Sequence, residues 1–201
     1  MVRQSVVALW LGIAAGVAAI GEEPPAINPF GPRQETREDA LPGYVELSDG
    51  KVYAGQVYLT RDARLQIFDG EMQRQREVPL NAISKIECRV DKEWQEREWR
   101  FRENANDEKV YTGRSYPARI YSYILTLKNG QKISGPLSGI LYVAPEGEAK
   151  PVKLLLHKRD KGEFGMDLSS LVYVRSAEFG EEALRRGKAA AKRASAAAAK
   201  R

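Results

Sequence analysis

The chain carries one sequence pattern twice, eighty residues apart. Residues 44–57 read YVELSDGKVYAGQV, and residues 124–137 read ILTLKNGQKISGPL. A second shared pattern follows in each copy, as Leu80-x-x-Ile83-x-x-Ile86 and then as Leu168-x-x-Leu171-x-x-Val174. An internal repeat of this kind predicts a fold built from two similar units.

Each copy has the features of short strands joined by tight turns. Asp49-Gly50 and Asn129-Gly130 are dipeptides that favour two-residue hairpin turns, and alternating apolar residues flank both. Gly55 and Gly135 interrupt the second strand of each copy, where a bend is expected. We therefore predict a mainly β protein with two small five-stranded β-barrels in tandem, at residues 43–90 and 121–179, each with one helical turn before its last strand. Residues 91–120 are predicted to form a linking strand and loop.

The turn motif resembles that of a known barrel family. Leu47-x-Asp49-Gly50-x-x-x-x-Gly55 is similar to the first motif of Sm-like small barrels, and Leu127-x-Asn129-Gly130-x-x-x-x-Gly135 repeats it with Asn in place of Asp. The tandem arrangement, with segments such as VYTGRSYPAR and ISGPLSGILYV, also resembles exported proteins of planctomycete-type bacteria. The resemblance implies barrels of the Sm-like or Src-homology-like kind. Sm-like proteins bind RNA, but the Arg/Lys-Gly pair that serves this purpose is not found after Ile86 or Val174, so RNA binding is not predicted.

The N-terminal residues are typical of an export signal. Arg3 precedes the apolar run 6–20, which ends in small residues and is followed by Glu22-Glu23-Pro24-Pro25. This order predicts a signal peptide at residues 1–21, cleaved near Ala19 or Gly21, with an uncleaved membrane anchor as the alternative. Residues 22–42 are rich in Pro and charge and are predicted to be a disordered spacer. The expected location is periplasmic or secreted.

The C-terminal tail, residues 180–201, is rich in Ala, Lys and Arg. From Glu181 onward it holds seven Lys/Arg and two Glu, whereas the whole chain has a net charge of +5. The composition favours a helix, but no large apolar residue follows Leu184, so we expect nothing to hold this helix to the body. Lys192 and Arg193 are candidate contacts for a polyanion such as nucleic acid, anionic glycan or anionic lipid; the alternative is a solvated tail without a partner.

Residues suited to catalysis are few. The chain has one His and one Cys, and it contains no GxSxG, HExxH or phosphate-loop motif. His157 is predicted to be a surface residue at a strand end, and Cys88 a small buried side chain rather than a functional thiol. We predict a protein that is not an enzyme, with no catalytic residue, cofactor or metal site.

Aromatic and cationic residues alternate in the region between the two copies. Trp94, Arg114, Tyr116 and Arg119 are predicted ligand or partner contacts, because aromatic and Arg side chains together can stack on a ligand and pair with anions. The alternative is that Trp99 and Tyr116 pack between the barrels. The sequence thus predicts an exported, non-enzymatic interaction or scaffold protein of the cell envelope that binds a protein partner. A polyanion binder that uses the basic tail is the alternative.

Overall fold

The computed structural model describes residues 37–102, 107–146, 148 and 150–198. The predicted signal peptide and most of the predicted spacer lie outside these residues. Residues 34–201 form one compact unit. Its described residues form eleven strands, two 3₁₀ turns and a C-terminal helix: β1 (Leu41–Leu47), β2 (Val52–Tyr58), β3 (Leu65–Asp69), β4 (Arg74–Val78), a turn at Leu80–Ala82, β5 (Ile83–Phe101), β6 (Lys109–Leu127), β7 (Lys132–Gly135), β8 (Leu137–Pro145), β9 (Val152–Leu156), β10 (Arg159–Lys161), a turn at Leu168–Ser170, β11 (Val174–Phe179) and α1 (Glu181–Ala198).

The predicted mainly β class and the C-terminal helix are confirmed, but the two closed barrels are not formed. All eleven strands belong to one open sheet, in the order β10-β6-β5-β11-β1-β2-β8-β3-β4, with β7 paired to β6 and β9 paired to β8. Every pair is antiparallel. The segments 43–90 and 121–179 are therefore not separate modules, because strands of one pair with strands of the other.

The two copies exchange their first and last strands. A self-contained module would pair its last strand with its own first strand. Here β5, the last strand of copy one, pairs with β6, the first of copy two, and β11 pairs with β1. The short connection between β5 and β6 explains this arrangement, since consecutive strands joined by a short loop pair as an antiparallel hairpin. The edge of β1 is then left for β11.

The repeated hairpin turns themselves are confirmed. Gly50 has φ 84° and Gly130 has φ 85°, so both occupy the left-handed region. The side chain before each glycine closes its turn in the same way: Asp49 Oδ1 accepts from the Lys51 N–H at 3.0 Å, and Asn129 Oδ1 accepts from the Gln131 N–H at 3.0 Å. The exchange extends to these turns. Ser48 N–H donates to the Tyr173 carbonyl, and its counterpart Lys128 donates to that of Ala82, each in the other copy.

One hydrophobic core serves both copies. Its fully buried members come from strands throughout the chain and include Val45, Val57, Ile67, Ile86, Leu125, Ile133, Leu141 and Val143. Because neither copy encloses a core of its own, the stability of each depends on the other. The predicted boundary of the spacer at residue 42 also moves slightly, since β1 begins at Leu41.

Candidate functional site

The outer halves of β5 and β6 form a two-stranded ribbon, defined here as residues 91–101 and 109–119. Both strands have 19 residues, and their inner halves contribute Ile83, Ile86 and Leu125 to the core. Residues 91–101 are exposed or half-buried. β10 and the segment after it support the ribbon as far as Ser115, whose carbonyl accepts from the Gly165 N–H at 2.9 Å. Beyond that point, the backbone of the described ribbon residues bonds only within the ribbon.

One face of the ribbon carries a cluster that we call the Trp94 face, made of Lys92, Trp94, Glu96, Glu98, Arg114, Tyr116, Arg159, Lys161 and Phe164. Alternate residues of a strand share a face, which places Trp94, Glu96 and Glu98 together. Lys92 Nζ lies 5.1 Å and Arg159 Cζ 5.6 Å from the centroid of the Trp94 ring. Arg159 also donates to Glu96 Oε2 at 2.6 Å. The indole of Trp94 is thereby held between two cations.

An aromatic pair continues this face toward the end of the ribbon. The rings of Tyr116 and Phe164 pack edge to face, with centroids 5.4 Å apart. Arg114 Cζ lies 4.5 Å from the Phe164 centroid, and its guanidinium binds Glu98 through both Nε (2.8 Å) and Nη2 (2.9 Å). The two charge-assisted hydrogen bonds from Arg114 lower the pKa of Glu98. Burial, and then the nearby Glu96, raise the pKa of Tyr116.

The structure brings three of the predicted contact residues together and separates a fourth. Trp94, Arg114 and Tyr116 share the Trp94 face. Arg119 does not, because it lies on the other side of β6 and only 8% of this residue is exposed. Its guanidinium donates to the carbonyls of Leu171 (3.0 Å) and Leu168 (3.2 Å). Arg119 therefore holds the second 3₁₀ turn against the ribbon.

The residues that complete the Trp94 face were not predicted. Arg159, Lys161 and Phe164 come from β10 and the segment that follows it, far along the chain from Trp94. Only the pairing of β10 with β6 brings them beside Trp94 and Tyr116. Three residues of strand carry too little periodicity to be recognised in a sequence.

The C-terminal helix is docked, which corrects the prediction that nothing holds it. Leu184 and Ala183 are buried, and Gly187 sits so close to Tyr44 of β1 that a Cβ there would overlap the Tyr44 side chain. Arg186 pairs with Glu178 at 2.8 Å, and Lys188 pairs with Glu146 at 2.6 Å. Small residues thus replace large apolar ones at this interface.

Lys192 and Arg193 lie on the outer side of the docked helix. Both are exposed, and neither pairs with a carboxylate in the described part of the chain. A groove of about 960 Å³ runs between α1 and the β1–β2 turn. Its charged lining residues Lys51 and Lys188 are already paired, with Asp49 and Glu146. The unpaired positive charge is therefore on the helix and not in the groove.

Cys88 and His157 have structural roles in the fold. Burial raises the pKa of the Cys88 thiol to about 12, so the thiol is protonated at neutral pH and is a poor nucleophile. The backbone carbonyl of His157 accepts a hydrogen bond from the Tyr123 hydroxyl at 3.0 Å. Within the described ranges, no group of three or more His, Cys, Asp or Glu side chains is arranged to hold a metal ion.

Comparison with known proteins adds no identification. No protein-family model matches the chain, and neither a curated protein nor a solved structure is similar to it. Among the residues described, no helix has the length and apolar character needed to cross a membrane.

Proposed function

We propose that this chain is a non-enzymatic interaction protein of the cell envelope, and that the Trp94 face of the ribbon binds a protein partner. The observation that carries the proposal is the set of three aromatic rings, Trp94, Tyr116 and Phe164, which lie with Arg114 and Arg159 on one face of the ribbon and its supporting segment. Trp, Tyr and Arg are the side chains that most often dominate the binding energy of protein interfaces.

The charges of this face favour a protein over a polyanion. Glu96 and Glu98 lie between the cations and pair with Arg159 and Arg114. A face of mixed sign repels a uniformly anionic polymer in part, whereas it can match a partner of opposite pattern. The ion pairs also hold both arginines in place before binding, which reduces the side-chain entropy lost on association.

The test is affinity capture from envelope extract with the wild type and with matched variants. Tyr116→Ala and Phe164→Ala should each abolish capture of a specific protein, and the interaction should be reproduced with that purified partner. Leu155→Ala is the control, because Leu155 is an exposed apolar residue of β9 that lies outside the ribbon. Capture that neither Tyr116→Ala nor Phe164→Ala reduces, or turnover of an envelope substrate by the wild type, would contradict the proposal.

Export of the protein is part of the same proposal, and it is tested by determining where the mature chain begins. We expect the protein isolated from the periplasm or medium to begin near Ala19 or Gly21, as its intact mass would show. A chain that keeps residues 1–21 and stays with the membrane fraction would support the uncleaved anchor instead.

Polyanion binding by α1 is the second candidate, and the exposed Lys192 and Arg193 favour it. The expected ligands are nucleic acid, anionic glycan or anionic lipid. Replacing both residues with Gln should lower the salt concentration that elutes the protein from an anionic matrix and reduce the salt dependence by roughly two counterions. Lys153→Gln with Lys158→Gln is the matched control, because these exposed lysines lie on another surface. Equal effects of the two pairs would exclude a specific role of α1. Deleting the whole helix is a poorer test, since it would uncover Tyr44.

A further inference from the structure

The face opposite Trp94 carries a second aromatic cluster near the end of the ribbon, which we call the tip cluster: Arg97, Trp99, Phe101, Lys109 and Tyr111. Trp99 pairs with Tyr111 and Phe101 with Lys109 across the two strands, so these side chains share one face. The exposed fractions are 40% for Trp99, 49% for Phe101 and 53% for Tyr111. Trp99 and Phe101 pack edge to face, with centroids 5.1 Å apart.

One cation lies over each of two of these rings. Lys109 Nζ lies 4.2 Å from the Trp99 centroid, and Arg97 Cζ lies 4.6 Å from the Tyr111 centroid. Neither cation forms an ion pair with any described carboxylate. The tip cluster therefore differs from the Trp94 face, where the two arginines are neutralised by glutamates. The positive charge of the tip cluster itself complements an anionic surface.

The ribbon carries this cluster away from the last supported pair of the two strands. Past Arg97 and Ser115, the backbones of the described ribbon residues bond only to each other, and the register shifts between Arg97 and Trp99, opposite Gly113 (φ 84°). At about 3.3 Å per residue, residues 98–101 extend roughly 13 Å beyond this last supported pair. Helices that lie in a membrane interface bury their apolar side chains by about 5–10 Å, which is within that reach.

We propose that the tip cluster docks on an anionic lipid surface. Trp and Tyr prefer the boundary between headgroups and acyl chains, where one part of the ring is dry and another is hydrated, and Phe101 can enter more deeply. Lys109 and Arg97 can swing from the rings to lipid phosphates, because their long side chains reach outward while the rings are buried.

The test uses residues 34–201, the compact unit that contains every described strand and the whole core, so that the apolar residues 6–20 contribute nothing to lipid binding. Vesicles of phosphatidylcholine alone are compared with vesicles that also contain phosphatidylglycerol, by co-sedimentation. We expect binding to the anionic vesicles only. Trp99→Ala with Phe101→Ala should weaken it about tenfold or more. Arg97→Gln with Lys109→Gln should weaken it by a similar factor.

Two controls make the result specific. The pair Lys153→Gln and Lys158→Gln should leave vesicle binding within about twofold of the wild type, since this charge change lies outside the ribbon. Fluorescence supplies an independent signal: the blue shift on binding should survive Trp94→Phe and disappear in Trp99→Phe. The variants of the tip cluster, of Lys153 and of Lys158 should keep the wild-type melting temperature, because these side chains are exposed.

Several outcomes would overturn the inference. These are equal binding to both kinds of vesicle, tip variants that bind anionic vesicles as well as the wild type does, and a blue shift that follows Trp94. A fourth is tip-dependent binding of a labelled single-stranded oligonucleotide without vesicle binding, which would assign the cluster to nucleic acid instead.

Discussion

Gly50 and Gly130 adopt the same backbone conformation in the two copies of the hairpin turn, and both face open space. A side chain at either position meets no neighbour, so its cost is the strain of the left-handed conformation alone. We expect Gly50→Val and Gly130→Val to lower the free energy of unfolding by about 1–2 kcal/mol each. Gly113, with a φ of 84°, is under the same restriction. Gly113→Ala should therefore also show strain in a thermal melt.

Gly55 and Gly135 are under a different constraint, and their substitution should cost more. A Cβ on Gly55 would overlap the Ala144 carbonyl of β8, and one on Gly135 would overlap the Phe68 carbonyl of β3. Backbone cannot yield as a flexible side chain does. Gly55→Ala and Gly135→Ala should each cost about 3 kcal/mol in chemical denaturation. Equal midpoints for Gly50→Ala and Gly55→Ala would show that strand approach at Gly55 does not limit the fold.

Tyr121 and Tyr123 form a natural comparison of a hydroxyl without a hydrogen bond and one that has a partner. The buried Tyr121 hydroxyl makes no hydrogen bond of normal geometry with the described residues, although Arg119 lies nearby, whereas the Tyr123 hydroxyl donates to His157. Tyr121→Phe should be neutral or slightly stabilising, and Tyr123→Phe should cost about 1 kcal/mol. The reverse order in urea denaturation would contradict this assignment.

The same tyrosine gives stability a dependence on alkaline pH. Burial raises the pKa of Tyr121 from an ordinary 10.0 to about 12. The folded chain therefore keeps this proton more tightly than the unfolded chain does, and stability falls as pH rises from about 10 towards 12. Tyr121→Phe should make this fall less steep in melts taken at successive pH values. An unchanged slope would mean that other groups, such as Cys88 and Tyr123, account for all of it.

At the scale of elements, α1 shows how a helix without large apolar residues can still pack. A Gly in a helix usually destabilises it, and Gly→Ala then gains about 1 kcal/mol. At Gly187 we expect the opposite sign, because the added Cβ would overlap the Tyr44 side chain on β1. Gly187→Ala should lower the melting temperature and increase amide exchange in α1. Ser195→Ala, at an exposed position of the same helix, is the control and should be neutral or slightly stabilising.

Sequence-based prediction succeeded for some elements and failed for others. The turns at Gly50 and Gly130, the 3₁₀ turn at Leu80–Ala82 and strands such as β2, β3 and β9 follow from local residue preferences, and the structure has them. β8 and β10 were missed: β8 lies directly after Pro136, and β10 has only three residues. The docking of α1 depends on close contact through small residues, and no hydrophobic pattern reveals such contact.

The candidate site was predictable only in part, for the same reason. Trp94, Arg114 and Tyr116 lie within residues 91–120, where they alternate with polar residues. Their common surface could therefore be inferred from the local sequence. Arg119 has the same composition around it but points to the opposite side, where carbonyls of the second 3₁₀ turn bind it. Phe164 reaches the site through a sheet pairing between distant segments. Local residue patterns do not indicate which distant segments will pair.

At the scale of the whole molecule, the repeat is built into one sheet by exchange of strands. β1 lies between β2 of its own copy and β11 of the other, and β11 also pairs with β5. The predicted division into two barrels fails here, because two copies of one pattern can pair within themselves or with each other. Repetition in the sequence is the same in both cases. The short β5–β6 connection favours pairing between the copies.

This exchange leads to a prediction about the two halves as separate polypeptides. Residues 34–102 retain β1–β5 but lose β6, β8 and β11, which cover β5, β2 and β1. Residues 107–198 lose the complementary strands. Each half alone would expose core residues and unpaired strand edges, so neither should show a cooperative thermal transition by circular dichroism. When the halves are mixed in equal amounts, a cooperative thermal transition should return. The break falls in the β5–β6 connection and leaves all the strand pairs intact. A cooperative transition in either half by itself would mean that a copy can close on its own, as the two-barrel prediction required.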